Sequence, residues 1–162
     1  MKPEAKTAQA IRVEAHILIV EARFYTELAD ELARGAIAAI EAAGSTWERV
    51  SVPGALEIPG AIALADTAGR FDAYVALGTV IRGETSHYDI VAGESARAIM
   101  DLTLEGLCIG NGILTVENEA QAWARAKVSE MNKGAGAAEA AIAMVALAMD
   151  MLPDDEDDAE MN

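Results

Sequence analysis

The sequence predicts an α/β fold in which a four-stranded parallel sheet lies between two layers of helices. Short apolar runs typical of buried strands alternate along the chain with longer segments of helical periodicity. Strands joined in turn through helices make right-handed crossovers, which leave the strands parallel. A length of 162 residues suits one domain with one sizeable core. The predicted fold class is therefore a flavodoxin-like three-layer α/β/α sandwich.

The first strand, helix and strand have the clearest patterns. Residues 16–20 read HILIV, which is typical of a buried strand. Residues 24–43 are predicted to be helical because apolar side chains recur at every fourth position, and Gly44 provides the stop. A second strand is predicted at residues 47–52, where apolar and polar residues partly alternate.

The middle of the chain continues the same alternation. After the break PGALEIPG at residues 53–60, Pro59 suits the first turn of a helix that runs through AIALADTA. The run DAYVALG at residues 72–78 is apolar enough to be a strand that is covered on both faces. A long helix is then predicted over residues 88–106, with a glycine at its end.

The last part of the chain supplies one more strand and two helices. The strand is predicted at residues 107–116, a short helix begins within ENEAQAWARA, and a final helix over residues 132–152 ends before Pro153. The acidic run DDEDDAE that follows is typical of a solubilising, disordered segment. Three regions are therefore predicted: an N-terminal arm (residues 1–12), a domain (residues 13–152) and an acidic tail (residues 153–162).

Composition excludes several classes of function. A net charge of −15 opposes binding to a nucleic-acid backbone. Cys108 is the only cysteine, so an intrachain disulfide is impossible, and its setting LCIG is that of a small buried apolar residue. The N-terminus lacks the pattern of a secretory signal, and the most apolar stretch, residues 140–149, is shorter than a membrane span. The sequence predicts a cytoplasmic protein without a membrane segment.

The stretch GTVIRGETSHYD, residues 78–89, has the glycine spacing of a phosphate-binding P-loop. It follows the third predicted strand, and ligands of such sheets bind outside the carboxyl ends of the strands. Glu84 replaces the lysine that bridges terminal phosphates, which argues against nucleotide hydrolysis. Backbone N–H groups and the hydroxyls of Thr85 and Ser86 can still hold a single phosphate. The alternative is a plain turn from strand to helix.

His87, at the end of this loop, is one of only two histidines in the chain. Imidazole groups exchange protons near neutral pH, and a position at the carboxyl rim of a strand suits a proton-transfer catalyst. The alternatives are a helix-capping residue, a solvated loop residue and a metal ligand, although only Glu84 and Asp89 are near enough in sequence to share a metal. His16 lies inside a strand and is predicted to be structural.

Three further charged residues are candidates for ligand binding. Glu57 in the turn ALEIP can accept hydrogen bonds from the hydroxyls of a polyol, or it can be a carboxylate at the start of a helix. Arg125 and Lys133 lie at the ends of the last two helical segments, in a chain poor in basic residues. They can pair with surface acids, or they can supply the cations that a phosphate site needs.

Taken together, these segments resemble the lumazine synthase family. The resemblance is carried by RF at residues 23–24, then VPGALEIP, ALGTVIRGETSHYDIVAGESAR, NGILTVEN and NKG, and it covers nearly the whole chain except both ends. The combination of VPGxxEIP with GxVIRGxTxH is very specific. The resemblance implies condensation of 5-amino-6-ribitylamino-uracil with 3,4-dihydroxybutan-2-one 4-phosphate to 6,7-dimethyl-8-ribityllumazine, phosphate and water. It implies neither a metal nor an organic cofactor.

The resemblance also implies the roles of individual residues. His87 would be the proton shuttle, Phe24 would stack on the pyrimidine ring, and Arg125 would be the cationic partner of the substrate phosphate. The main chain of Gly83, Glu84 and Thr85 would hold that phosphate. Glu57, with the backbone of Ala55 and Leu56, would bind the ribityl chain. The remaining positions would line the heterocycle pocket: Thr79, Val80, Ile81, Asn111 and Lys133.

Assembly follows from the same resemblance. The family's sites lie between adjacent subunits of a homopentamer, and the N-terminal arm can add a strand to a neighbour. Many members have a small residue in place of Glu84 and an aromatic residue in place of Asn111. The segment AKVSEMN lacks the glycines found there in members that form icosahedral shells, which predicts a free pentamer. Two alternatives share the scaffold: a non-catalytic lumazine or flavin carrier, and a shell protein with vestigial activity.

Overall fold

The computed structural model describes residues 11–152, and the acidic tail and most of the N-terminal arm lie outside this range. The strands of the described part are β1 (His16–Ala22), β2 (Thr46–Val52), β3 (Ala73–Ile81) and β4 (Ile109–Val116). Its α-helices are α1 (Thr26–Ala42), α2 (Ile58–Thr67), α3 (His87–Leu104), α4 (Glu119–Ala126) and α5 (Lys133–Met151). A short 3-10 turn, Ala55–Glu57, connects β2 to α2.

The four strands form one parallel sheet in the order β2-β1-β3-β4. The prediction of a four-stranded parallel sheet within a flavodoxin-like sandwich is confirmed. From β1 the chain winds outward to β2, and from β3 it winds the other way to β4. The strand order therefore reverses between β1 and β3, and ligands of such sheets bind outside the carboxyl ends of the strands at this point.

Side chains alternate between the two faces of the sheet and give the domain two core layers. Ile17 and Ile19 of β1 pack with α1, α4 and α5, whereas Leu18 and Val20 pack with α2 and α3. This alternation follows from the period of two in a strand. Both faces of the sheet are therefore covered, as the apolar runs of the sequence predict.

Glycines let α5 approach its neighbours closely. A Cβ atom at Gly110 of β4 would overlap the carbonyl of Ala137, and one at Gly134 would overlap the carbonyl of Leu32. Helix α5 thereby packs against both β4 and α1, and its first residue, Lys133, follows a residue in the left-handed conformation, Asn132. Lys133 thereby lines the same cavity as residues 111–115 of β4.

Helix α5 as a whole has the length and apolarity of a membrane span, with a mean hydropathy of 1.4. The apolar stretch that was expected to be too short is therefore part of a longer apolar helix. Core helices of soluble proteins share this composition, and the buried face of α5 packs on α1 and β4.

Strand β3 extends further than the sequence predicts. Its last three residues pair in register with Leu114, Thr115 and Val116 of β4, so the strand ends at Ile81 rather than at Gly78. Gly78 is therefore a strand residue, and the loop before α3 comprises only residues 82–86. The P-loop outline of the sequence thus does not correspond to one continuous loop, because pairing with β4 holds its first half extended.

Candidate functional site

A cleft of about 390 Å³ opens at the carboxyl rim of the sheet, beside the point where the strand order reverses. We call it the rim cleft. Its walls come from the ends of β1, β2 and β3 and from the start of α3, as the topology predicts. The rim cleft is lined by Phe24, Tyr25, Pro53, Gly54, Ala55, Leu56, Glu57, Thr79, Val80, Ile81, His87 and Val91.

Phe24 stands at the mouth of the rim cleft, just after β1. Its side chain is 77% exposed, although burial of a phenylalanine is strongly favourable. The ring of Tyr25 meets it edge to face, with centroids 4.9 Å apart, and so limits its orientation. An exposed aromatic face held in this way suits the stacking of a planar ligand.

The turn after β2 presents Glu57 to the same cleft. Gly54 precedes the 3-10 turn and accepts a hydrogen bond from the Glu57 N–H at 3.2 Å. A Cβ at Gly54 would lie only 3.2 Å from Oε2 of Glu57, so this glycine leaves room for the carboxylate to fold back over the turn. Glu57 is exposed and lines the cleft beside Leu56. Its carboxylate is therefore available to hydroxyl groups of a ligand.

His87 is the first residue of α3 and is exposed at the edge of the rim cleft. Its backbone N–H donates to the Thr85 hydroxyl at 3.3 Å, and Ser86 occupies the N-cap position. The imidazole is thus not the helix cap. Within the described residues, no group of three histidine, cysteine, aspartate or glutamate side chains could hold a metal ion.

A second cavity, of about 440 Å³, lies between β4 and α5. We call it the α5 groove. Asn111, Arg125 and Lys133 all line it, together with residues 112–115 of β4 and with Gly136, Ala137 and Ala140 of α5. Nη1 of Arg125 donates to the Gln121 carbonyl at 3.1 Å rather than to a described carboxylate. The cationic groups of the α5 groove are therefore open to an anionic ligand.

The structure thus divides the predicted site residues into three sets. Eight of them line the rim cleft, namely Phe24, Ala55, Leu56, Glu57, Thr79, Val80, Ile81 and His87. Three of them line the α5 groove, namely Asn111, Arg125 and Lys133. The three predicted for phosphate through their main chain, Gly83, Glu84 and Thr85, are exposed in the loop before α3 and line neither cavity.

A buried charge cluster that the sequence reasoning missed lies at the end of β1. Glu21 is 1% exposed, and its Oε1 accepts a hydrogen bond from Arg23 at 2.8 Å. Arg49 approaches Oε2 at 2.9 Å but off the line of a hydrogen bond, so this contact is electrostatic. Asp30 is the fourth member of the cluster, and hydrogen bonds from Arg23 and then Arg49 lower its pKa. An acid inside the apolar run HILIVEA was the available signal, because a buried carboxylate needs cationic partners.

Cys108 was predicted to be buried, and the structure buries it only in part. The side chain is half-buried, and burial raises the pKa of its thiol. The thiol form is therefore favoured over the nucleophilic thiolate.

Comparison with known proteins identifies one family. A family model described as 6,7-dimethyl-8-ribityllumazine synthase matches residues 14–149. A relative of that name from Sphingopyxis alaskensis is 65% identical, over 82% of this chain and 94% of its own. The relative from Methylobacterium radiotolerans is 66% identical over 82% of both chains. The one from Bartonella bacilliformis is 59% identical, over 86% of this chain and 93% of its own.

The residues that the family model matches, 14–149, include the linings of the rim cleft and of the α5 groove as well as the four strands. The chain therefore belongs to the 6,7-dimethyl-8-ribityllumazine synthase family.

Proposed function

We propose that this chain is a 6,7-dimethyl-8-ribityllumazine synthase of riboflavin biosynthesis. It condenses 5-amino-6-ribitylamino-uracil with 3,4-dihydroxybutan-2-one 4-phosphate and releases phosphate and water. The observation that carries the proposal is the rim cleft, where an exposed aromatic ring, a carboxylate and an imidazole surround one apolar-lined cavity. A planar ring with a polyol chain matches that combination of groups.

The rim cleft offers each part of the pyrimidine substrate a suitable surface. The ring stacks on Phe24 and lies against Thr79, Val80 and Ile81, where apolar contact and aromatic stacking both favour it. The ribityl hydroxyls meet the Glu57 carboxylate and the adjacent backbone of Ala55 and Leu56. A carboxylate accepts several hydroxyl hydrogen bonds at once, which fixes the orientation of a flexible chain.

His87 acts as the proton shuttle. The amino nitrogen of the pyrimidine attacks the ketone carbon, and loss of water from the adduct gives an imine. The carbonyl oxygen must gain protons and the nitrogen must lose them, which is general acid–base work suited to an imidazole. Elimination of phosphate then breaks a carbon–oxygen bond and leaves an enol that becomes a new carbonyl group. The ribitylamino nitrogen attacks that carbonyl, and loss of a second water closes the ring, so protons must move again in both steps. The exposed position of His87 at the cleft edge supports this role.

The complete site is composite, with the rim cleft of one subunit facing the α5 groove of the next in a homopentamer. A phosphate on the loop of Gly83, Glu84 and Thr85 needs a cation, and none of the basic residues of the α5 groove lines the rim cleft of the same chain. Arg125 of a neighbour would supply it, while Lys133 in the same groove would lie beside the heterocycle. Exposed apolar side chains on the α2–α3 layer, such as Leu64 at 75% and Leu104 at 80%, also favour subunit contacts.

The proposed partners are thus the two small-molecule substrates and further copies of this chain, without nucleic acid or membrane. The condensation requires neither an organic cofactor nor a metal, since both bond-forming steps are carbonyl chemistry assisted by proton transfer. We propose a cytoplasmic location, where the substrates of a biosynthetic pathway are made.

The competing proposal is a non-catalytic lumazine or flavin carrier on the same scaffold. His87 and Arg125 argue for the enzyme, since a carrier has no use for a proton shuttle or a phosphate site. The test is to supply both substrates and to measure lumazine formation and inorganic phosphate release on one sample. The enzyme produces both in equal amounts. A carrier binds lumazine and releases no phosphate.

A further inference from the structure

Arg82 opens the loop of residues 82–86 and makes contacts on three sides. Its Nε donates to the Glu117 carboxylate, at 3.1 Å to one oxygen and 3.0 Å to the other. Its Nη1 lies 3.4 Å from Asp89, and its Cζ lies 4.2 Å from the ring centroid of Tyr88. Its backbone N–H donates to the Val116 carbonyl at 2.9 Å. One side chain thus engages two carboxylates and one aromatic face.

These contacts join three separate elements around the loop. Arg82 follows β3, Glu117 follows β4, and Tyr88 and Asp89 lie in the first turn of α3. Both ends of the loop are therefore fastened to the same guanidinium, with Gly83, Glu84 and Thr85 spanning the gap between them. An arginine suits this task because its planar fork can bind a carboxylate at its edge while its face stacks on a ring.

The orientation of Arg82 also separates it from the cations proposed to bind phosphate. Its donors are directed to Glu117 and Asp89, whereas Arg125, within residues 11–152, donates only to a backbone carbonyl. A guanidinium held by two carboxylates carries little net charge toward a further anion. Direct binding of the phosphate by Arg82 therefore does not explain why this residue lies next to the phosphate loop.

We propose that Arg82 is a positioning residue, which fixes the loop so that the main-chain N–H groups of Gly83–Thr85 converge on the phosphate of the ketone substrate. This inference rests on the proposed function, since it assigns a role within that same site. Arg82 contributes no atom to the phosphate. It acts by limiting the backbone conformations of the loop. Many conformations are otherwise open to this loop, because it contains a glycine and has no regular secondary structure.

The first experiment compares Arg82→Lys with Arg97→Lys. Arg97 also pairs with two carboxylates, Glu94 and Asp101, but all three lie within α3, so it fastens no loop. We expect Arg82→Lys to raise the KM for the phosphorylated ketone about three- to tenfold, as for loss of a few partly exposed contacts. The KM for the ribitylamino-uracil and the thermal midpoint should change little. Arg97→Lys should leave both KM values unchanged.

Glu117→Gln distinguishes positioning from direct binding by the sign of its effect. If Arg82 bound phosphate itself, release from Glu117 would free the guanidinium and lower the KM for the ketone. If Arg82 positions the loop, Glu117→Gln loosens it and raises that KM. Glu119→Gln is the matched control for removal of a nearby negative charge, because Glu119 contacts Trp123 and not Arg82.

Amide hydrogen exchange gives a readout that does not depend on turnover. In both Arg82→Lys and Glu117→Gln, the hydrogen-bonded amides at the two ends of the loop, those of residues 82, 89 and 90, should exchange several times faster than in the wild type, while those at the centre of the sheet stay unchanged. Wild-type turnover with unchanged KM and unchanged exchange in these variants would overturn the role of Arg82 and leave the enzyme assignment standing. Absence of turnover in the wild type would overturn the proposed function instead. In that case, faster amide exchange in the two variants than in the wild type would still show that Arg82 holds the loop in place.

Discussion

At the scale of single residues, the two histidines have opposite settings. His87 is exposed beside the rim cleft, whereas His16 lies at the amino end of β1. Nδ1 of His16 lies 2.7 Å from the Thr46 hydroxyl, and its Nε2 lies 2.6 Å from Glu48. The ring also stacks on Phe71, with centroids 5.3 Å apart. The predicted structural role of His16 agrees with these contacts, and the pair makes a matched comparison.

We predict that His87→Ala keeps the fold and lowers kcat about a hundredfold, near the lower end of the usual gain from general acid–base catalysis. The lower end is expected because amines and ketones also condense slowly unaided. His16→Gln should keep kcat and lower the thermal midpoint instead. Steady-state rates at saturating substrates measure the first effect. Unchanged kcat in His87→Ala would remove this imidazole from the mechanism.

Arg125 is proposed to bind the phosphate of the ketone substrate. Arg125→Ala should raise the KM for the phosphorylated ketone roughly ten- to hundredfold, since a charge-assisted hydrogen bond contributes about 1.5–3 kcal/mol. The KM for the ribitylamino-uracil should stay within about twofold, because the loss is confined to one charge-assisted contact. Lys127→Ala is the control, since Lys127 is exposed two residues away and pairs with Glu130.

Glu84 is expected to act through its main chain only. Glu84→Ala should therefore keep or slightly strengthen phosphate binding, because it removes a nearby negative charge. Titration with inorganic phosphate measures this directly. Loss of phosphate affinity in Glu84→Ala would show that the loop has been assigned wrongly.

At the scale of elements, the connection between α4 and α5 corrects one part of the sequence reasoning. Absence of glycine in AKVSEMN was expected to make a sharp bend costly. The bend is nevertheless made, with Asn132 in the left-handed conformation at a φ of 48°. Asparagine adopts this conformation more readily than most residues. The glycine argument therefore no longer supports a preference for free pentamers.

The same connection is tied to α1 by Glu31. Its Oε1 accepts a hydrogen bond from the Val128 N–H at 2.9 Å, and its side chain is 18% exposed. Arg34, and then the Val128 N–H, lower the pKa of Glu31 from its ordinary value of 4.5. A depressed carboxyl pKa stabilises the fold above the unfolded-state pKa, and this stability is lost as the pH falls through the folded-state value.

We predict that Glu31→Gln lowers the free energy of unfolding by about 1 kcal/mol at pH 7. The difference from the wild type should shrink as the pH falls below about 4.5, because the unfolded wild-type carboxyl then takes up a proton before the folded one does. Urea unfolding at several pH values measures it. Glu139→Gln, on an exposed position of α5, is the control. A difference that does not depend on pH would contradict the proposed contribution of the carboxylate charge.

The elements also show how far the sequence could predict this molecule. Local patterns predicted every strand and helix of the described part, because apolar runs and stop residues act over short distances. Strand β3 was predicted too short because its last residues depend on pairing with β4, more than thirty positions away. The clusters around Glu21, Arg82 and Glu31 were missed for the same reason, since each joins residues that only the fold brings together.

The site was predicted as a set of residues but not as an arrangement. Segments at the carboxyl ends of β1, β2 and β3 line the rim cleft, whereas Ile113, Leu114 and Thr115 of β4 line the α5 groove. Their division into the rim cleft and the α5 groove could not be foreseen, because it depends on how closely α5 packs on β4 at Gly110 and on α1 at Gly134.

At the scale of the whole molecule, charge favours small assemblies. Each chain carries −15, and salt screens this charge over about 8 Å at physiological ionic strength. Pentamers brought edge to edge would therefore repel one another. We predict a particle near 85 kDa, five chains of 17.0 kDa each, by light scattering coupled to size exclusion. A particle about twelve times heavier, the ratio of a sixty-subunit shell to a pentamer, would contradict this.

The central claim is a condensing enzyme whose site combines the rim cleft of one subunit with the α5 groove of its neighbour. It is tested most directly by mixing subunits of His87→Ala with subunits of Arg125→Ala, after each has been shown to be impaired alone. The Arg125→Ala subunit keeps His87 in its rim cleft, and the His87→Ala subunit keeps Arg125 in its α5 groove. Where these two surfaces face each other, one site contains both intact groups. Random mixing in equal amounts should restore about a quarter of the wild-type rate at low ketone concentration. If mixed oligomers form and the rate stays at the level of the separate variants, the two groups act within one chain and the account is wrong.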